Sequence, residues 1–117
     1  QLRTLILLKD LEGRSDLIAK EIRELAAHDK KKDTQYCETL YHYLTCCRSL
    51  KKTCVALFTH RNTVLYRIRR IEDDFAIPLD EPAVHADLLA GVSLLLFKEK
   101  GPDFFLHTIN KNEREEQ

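Results

Sequence analysis

An amide and two guanidiniums on one helical surface can read the edges of bases, and this sequence places Asn62, Arg67 and Arg70 within a single nine-residue stretch. Asn62 can pair bidentately with an adenine edge and Arg67 or Arg70 with guanine, each pair contributing ~1–3 kcal/mol of discrimination. His60, Thr63 and Tyr66 suit phosphate contacts, which set register without reading sequence. Arg61 falls near the side expected to be buried, so it reaches water along its aliphatic stem. Lys51 and Lys52, with Arg48 beside them, form a second group able to grip a phosphate backbone.

Such residues need a rigid element behind them. Lys51 to Phe58 reads as a short helix, Thr59-His60 as a turn, and Arg61 to about Phe75 as a longer helix, which together make a helix-turn-helix. At 100° per residue Val64, Ile68, Ile71 and Phe75 fall within about 60° of arc, a stripe that must be buried. The opposite face carries Asn62, Tyr66, Arg69 and Arg70, with Thr63 and Arg67 on one flank. Cys54 sits where a small residue lets the two helices approach.

Charge supports the same use. From Thr39 to Ile71 there are seven Lys or Arg and no Asp or Glu, whereas the remaining residues hold twelve basic and nineteen acidic groups. The neutral total therefore conceals a split of +7 and −7. A merely solvated face mixes both signs, and a cationic one attracts duplex phosphates.

The rest of the chain bounds the answer. Its 117 residues, 44% hydrophobic and 32% charged, fit one folded domain, and few Gly or Pro with apolar spacings of three and four predict helices throughout. The expected class is all-α, a small multi-helix domain built around a helix-turn-helix. Residues 1–32 are expected to be a helical segment continuing from an upstream domain, because the chain starts at Gln1 and Leu5-Ile6-Leu7-Leu8 runs on from something earlier. Ser15 caps a helix to about Ala27 in this reading, and Lys30-Lys31-Lys32 is a solvated connector. Residues 33–98 hold the DNA-binding unit, opened by a helix capped by Asp33 or Thr34 and running to about Cys47. Asp80 caps the last long helix, from about Pro82 to Lys98, whose Leu89 and Phe97 lie off its main stripe and suggest a dimer contact. Residues 99–117 form a polar tail, with a short turn at Phe104 to Ile109 and disorder from Asn110.

Several classes are disfavoured. The longest apolar segment, around Leu88 to Phe97, is shorter than the ~20 residues a bilayer requires, so no membrane partner is expected. Cys37, Cys46, Cys47 and Cys54 lack paired C-x-x-C spacing, and three are expected to face the core as reduced thiols of a cytoplasmic protein. His42 and Cys46 share a helical face, but no second pair completes a zinc site, so neither metal nor other cofactor is expected. No nucleophile–base constellation or glycine-rich phosphate loop is present, which argues against an enzyme. The competing reading is a helical protein-interaction module whose basic face docks an acidic partner.

The run His60-Arg61-Asn62-Thr63-Val64-Leu65-Tyr66-Arg67-Ile68-Arg69-Arg70-Ile71-Glu72 closely resembles the C-terminal signature of PucR-type bacterial regulators. Glu38-Thr39-Leu40 with Tyr43-Leu44 is similar to that family's preceding helix, and Pro78-Leu79-Asp80-Glu81-Pro82 to its following linker. The likeness covers roughly residues 5 to 97 and is strongest at 55 to 72. It implies a regulator of purine catabolism, sugar-diacid use or a related pathway, binding operator DNA as a homodimer, with effector-sensing domains upstream. It also implies DNA contacts by Asn62, Thr63, Tyr66, Arg67 and Arg70. Thr53 and Cys54 stand where relatives have two alanines, and Cys47-Arg48-Ser49 where they often have Gly or Asn.

Overall fold

The computed structural model describes residues 2–106, and the main elements among them are six helices. They are α1 (Leu2–Asp10), α2 (Lys20–Lys32), α3 (Tyr36–Thr45), α4 (Leu50–Leu57), α5 (Arg61–Asp74) and α6 (Pro82–Lys100), with a 3₁₀ turn at Ser15–Leu17. There is no strand among the described residues. Residues 102–106 are also helical. The short turn expected to reach Ile109 extends beyond the described residues, and the polar stretch from Asn110 lies wholly outside them.

Two helices organise the packing. α3 lies against α2, α4, α5 and α6, while α6 lies against α1, the 3₁₀ turn, α2 and α3. The core accordingly runs through Ile22 and Leu25 of α2, Leu40 and Leu44 of α3, Val64, Ile68 and Ile71 of α5, and Val92 to Phe97 of α6. Ile77 and Leu79 pin the α5–α6 connector into it, both almost wholly buried. From Gly91 to Phe97 every residue of α6 is buried, as expected of a helix enclosed on all sides. Gly91 permits this: a Cβ there would stand 3.1 Å from Ile22 Cδ1 and 3.3 Å from the Leu17 carbonyl oxygen.

That enclosure corrects one expectation. Phe97 is not a free dimer contact, because it is buried and packs on Phe105 with ring centroids 6.1 Å apart; Leu89 is half-buried against the same core. The exposed apolar side chains lie elsewhere, including Leu2, Ile6 and Leu7 on α1.

Other corrections concern helix ends. The expected helix from Ser15 is a single 3₁₀ turn, and α2 starts only at Lys20. Lys30-Lys31-Lys32 is its last turn and not a connector, a placement in which cations meet the negative end of the helix dipole. Asp33 does not cap α3; it occupies the left-handed C-cap of α2 at φ 54, a conformation aspartate tolerates. Nor does Asp80 cap α6, whose N-cap is Glu81.

The cap of α3 comes from α2. Asp29 accepts hydrogen bonds from the backbone N–H of Tyr36 at 2.8 Å and of Cys37 at 2.9 Å, and a third from the Thr34 hydroxyl. One carboxylate thus satisfies two of the orphan donors at a helix N-terminus and faces the positive end of its dipole. Asp29→Ala is expected to lower stability by about 1–3 kcal/mol, as charge-assisted bonds to a helix start do. Chemical denaturation checks this, and an unchanged midpoint would show that water replaces the carboxylate freely.

Of the four thiols only Cys37 is fully buried, where its pKa is pushed up, first by burial and then by Asp29. Cys46 and Cys54 are half-buried. Cys47 is exposed, because α3 ends at Thr45 and the chain turns left-handed at Cys47 and Arg48.

Candidate nucleic-acid interface

α4 and α5 present the predicted residues, and each helix has a sequence reason to begin where it does. Ser49 caps α4, its hydroxyl accepting from the Lys52 N–H at 3.2 Å. His60 is the N-cap of α5 with extended backbone, φ −65 and ψ 149, and its ring makes no capping bond. Neither helix has an acidic residue in its first turn, so both N-termini keep their positive dipole ends uncompensated.

The turn between them is tight. Phe58 ends α4 in the left-handed region, at φ 51 and ψ 46, a position most often filled by glycine. Its side chain is 83% exposed. In the turn before α4, Cys47 and Arg48 both lie in the left-handed region, with φ 54 and 62 in succession. The Arg48 amide donates to the Tyr43 carbonyl at 2.7 Å, and its guanidinium reaches the Leu79 carbonyl at 3.5 Å. Within α4, Thr53 is fully buried with its hydroxyl donating to the Ser49 carbonyl at 2.7 Å, and Ala56 is buried as well. Cys54 beside them is only partly buried.

α5 is two-sided, as its periodicity predicted. Val64, Ile68 and Ile71 are buried against α3 and α4, with Phe75 half-buried at the end of the same stripe. Arg61, Asn62 and Thr63 are exposed in the first turn, and Tyr66 is 57% exposed one turn on. Lys51 and Lys52 are exposed on the first turn of α4. Arg61 therefore stands clear of the core and needs no bend around it.

The two arginines expected to read guanine are placed differently. Arg67 is half-buried, and its Nη1 donates to the hydroxyl of fully buried Thr39 at 3.3 Å, tying α5 to α3. Arg70 lies between two rings, 5.9 Å from the Tyr36 centroid and 6.0 Å from that of Tyr66. It donates to the Tyr66 hydroxyl at 3.2 Å and pairs with Asp74, contacts that hold its guanidinium firmly charged, Tyr66 first. Arg69, to which the sequence reading gave no contact, is exposed. The i, i+7 spacing from Asn62 was the signal for it.

Electrostatic organisation follows. Among the described residues, ion pairs join Lys9 to Glu12, Arg14 to Asp16, Lys20 to Glu24 and Lys100 to Glu38. Of the seven cations between Thr39 and Ile71, only Arg70 has a carboxylate partner there. Glu72, Asp73 and Asp74 then end the cationic surface. Burial and the neighbouring Asp80 and Asp73 push the Glu72 carboxyl up. No three His, Cys, Asp or Glu side chains among the described residues are grouped to hold a metal ion, and no described helix is long and apolar enough to cross a membrane.

The family model of the PucR C-terminal helix-turn-helix domain matches residues 36–94, just over half of the chain. The match starts at the first residue of α3 and ends within α6. No curated protein and no solved structure matches the chain.

Proposed function

Because this chain belongs to the family of PucR C-terminal helix-turn-helix domains, DNA-binding domains of transcription regulators, we propose that it binds specific duplex sequences by seating α5 in the major groove. One observation carries the reading. α5 buries Val64, Ile68 and Ile71 and turns Asn62, Thr63 and Tyr66 outward, inside a surface of cations of which only Arg70 has a carboxylate partner among the described residues.

In this arrangement the first turn of α5 enters the groove, as the second helix of such a motif does. Asn62 reads an adenine edge. His60, Thr63 and Tyr66 meet the sugar–phosphate backbone, with Arg61, Lys51 and Lys52 supplying charge at the rim. Arg67 and Arg70 flank the reading face, and the stacked Arg70 holds Tyr66 in place. The protein acts in the cytoplasm as one half of a homodimer, with effector sensing by domains upstream of this segment, and it catalyses no reaction.

Selection from a random duplex pool tests this. The expected outcome is a recurring half-site containing adenine, repeated about one or two helical turns apart when dimers bind. Enrichment of no sequence, with equal capture by single-stranded polyanions, would favour a basic face that docks an acidic protein partner.

A further inference from the structure

Resting on that reading of α5, we propose that Arg69 contacts a duplex phosphate and that Arg67 does not. The signature residue is the one committed inside the protein, and the unassigned one is available. Taking the centre of the Val64, Ile68, Ile71 and Phe75 stripe as the buried direction, Arg67 points roughly 70° from it and Arg69 roughly 130°. The contacts agree: Arg67 is half-buried and bonded to Thr39, whereas Arg69 is exposed with no carboxylate partner among the described residues.

Position along the axis says what Arg69 touches. Asn62 and Arg69 stand almost in line on the helix, about 10 Å apart along it. The major groove is about 12 Å wide. With Asn62 against the bases, the guanidinium of Arg69 therefore arrives at the groove lip, where the phosphates are. Asp73, exposed one turn further on, would repel them, so the contact ends at this turn. For Arg67 to reach DNA it would have to leave Thr39 and the interface between α3 and α5.

The test uses the full 117-residue chain and a fluorescent mixed-sequence duplex of about three helical turns. Affinity is followed by anisotropy as salt rises. Arg69→Ala should make the slope of log affinity against log salt shallower by about 0.9 per bound domain, the signature of one lost phosphate contact, with the melting temperature unchanged. Arg67→Gln removes the charge but keeps an N–H donor for Thr39, and should leave the slope as in the parent; Arg67→Ala should lower the melting temperature. A parent slope retained in Arg69→Ala, or a loss of about 0.9 in Arg67→Gln, overturns the assignment. If the parent itself fails to bind duplex DNA, the reading of α5 falls and this inference with it.

Discussion

Raising the salt from about 50 to 200 mM should weaken duplex binding by this chain on the order of 10³- to 10⁴-fold, the loss that about five to seven neutralised phosphates produce. The cations responsible are exposed ones, Lys51 and Lys52 on α4 and Arg61 and Arg69 on α5, with the N-termini of both helices adding partial positive charge. Anisotropy titrations at several salt concentrations give the slope directly, and a slope near zero would remove the electrostatic basis of the proposed interface. The sequence-reading part is separable. Asn62→Ala should leave the slope almost intact while discrimination between the selected site and a scrambled one falls by about 1–3 kcal/mol. An acidic protein partner would reproduce the salt effect but not the loss of discrimination.

Ile71→Ala should reduce folding stability by about 2–5 kcal/mol, because it leaves a cavity in a stripe that cannot collapse around it. Ile71 is fully buried between α5 and α3, and its carbonyl accepts the Ile77 N–H at 3.3 Å, which fixes the connector to α6. Against a total of about 5–15 kcal/mol, that is a large fraction, and the melting temperature should drop by on the order of 10 °C. Calorimetry checks the shift. Duplex binding by the folded fraction should keep its parent salt slope, since no phosphate contact is removed. A variant that melts like the parent would show that α5 is not anchored through this stripe.

The reading face of α5 was legible because a helix repeats every 3.6 residues and its two sides diverge in composition. Val64, Ile68 and Ile71 could only face inward, and Asn62 and Tyr66 could then only face out. The acid-free run was equally plain, since a count of charges needs no coordinates. The start of α5 at Arg61 followed from a turn that two short residue runs bracket.

What the sequence left undetermined involves partners distant along the chain. Asp29 caps a helix seven and eight residues downstream because α2 ends beside the start of α3. Arg67 meets Thr39 across 28 positions, and Arg70 meets Tyr36 only because α3 lies against α5. Periodicity puts Arg67 on the flank of α5 and Arg69 on its open face, but no local rule supplies Thr39 as the partner of Arg67. The left-handed turns at Cys47, Arg48 and Phe58 break the usual residue preferences and are held by the helices on either side. By itself the sequence determined which helices exist, which side of α5 is apolar and where positive charge collects, because periodicity and charge are properties of neighbours along the chain. Only the tertiary structure decided which arginines remain available and where α3 gets its cap, because those depend on how helices pack against α3.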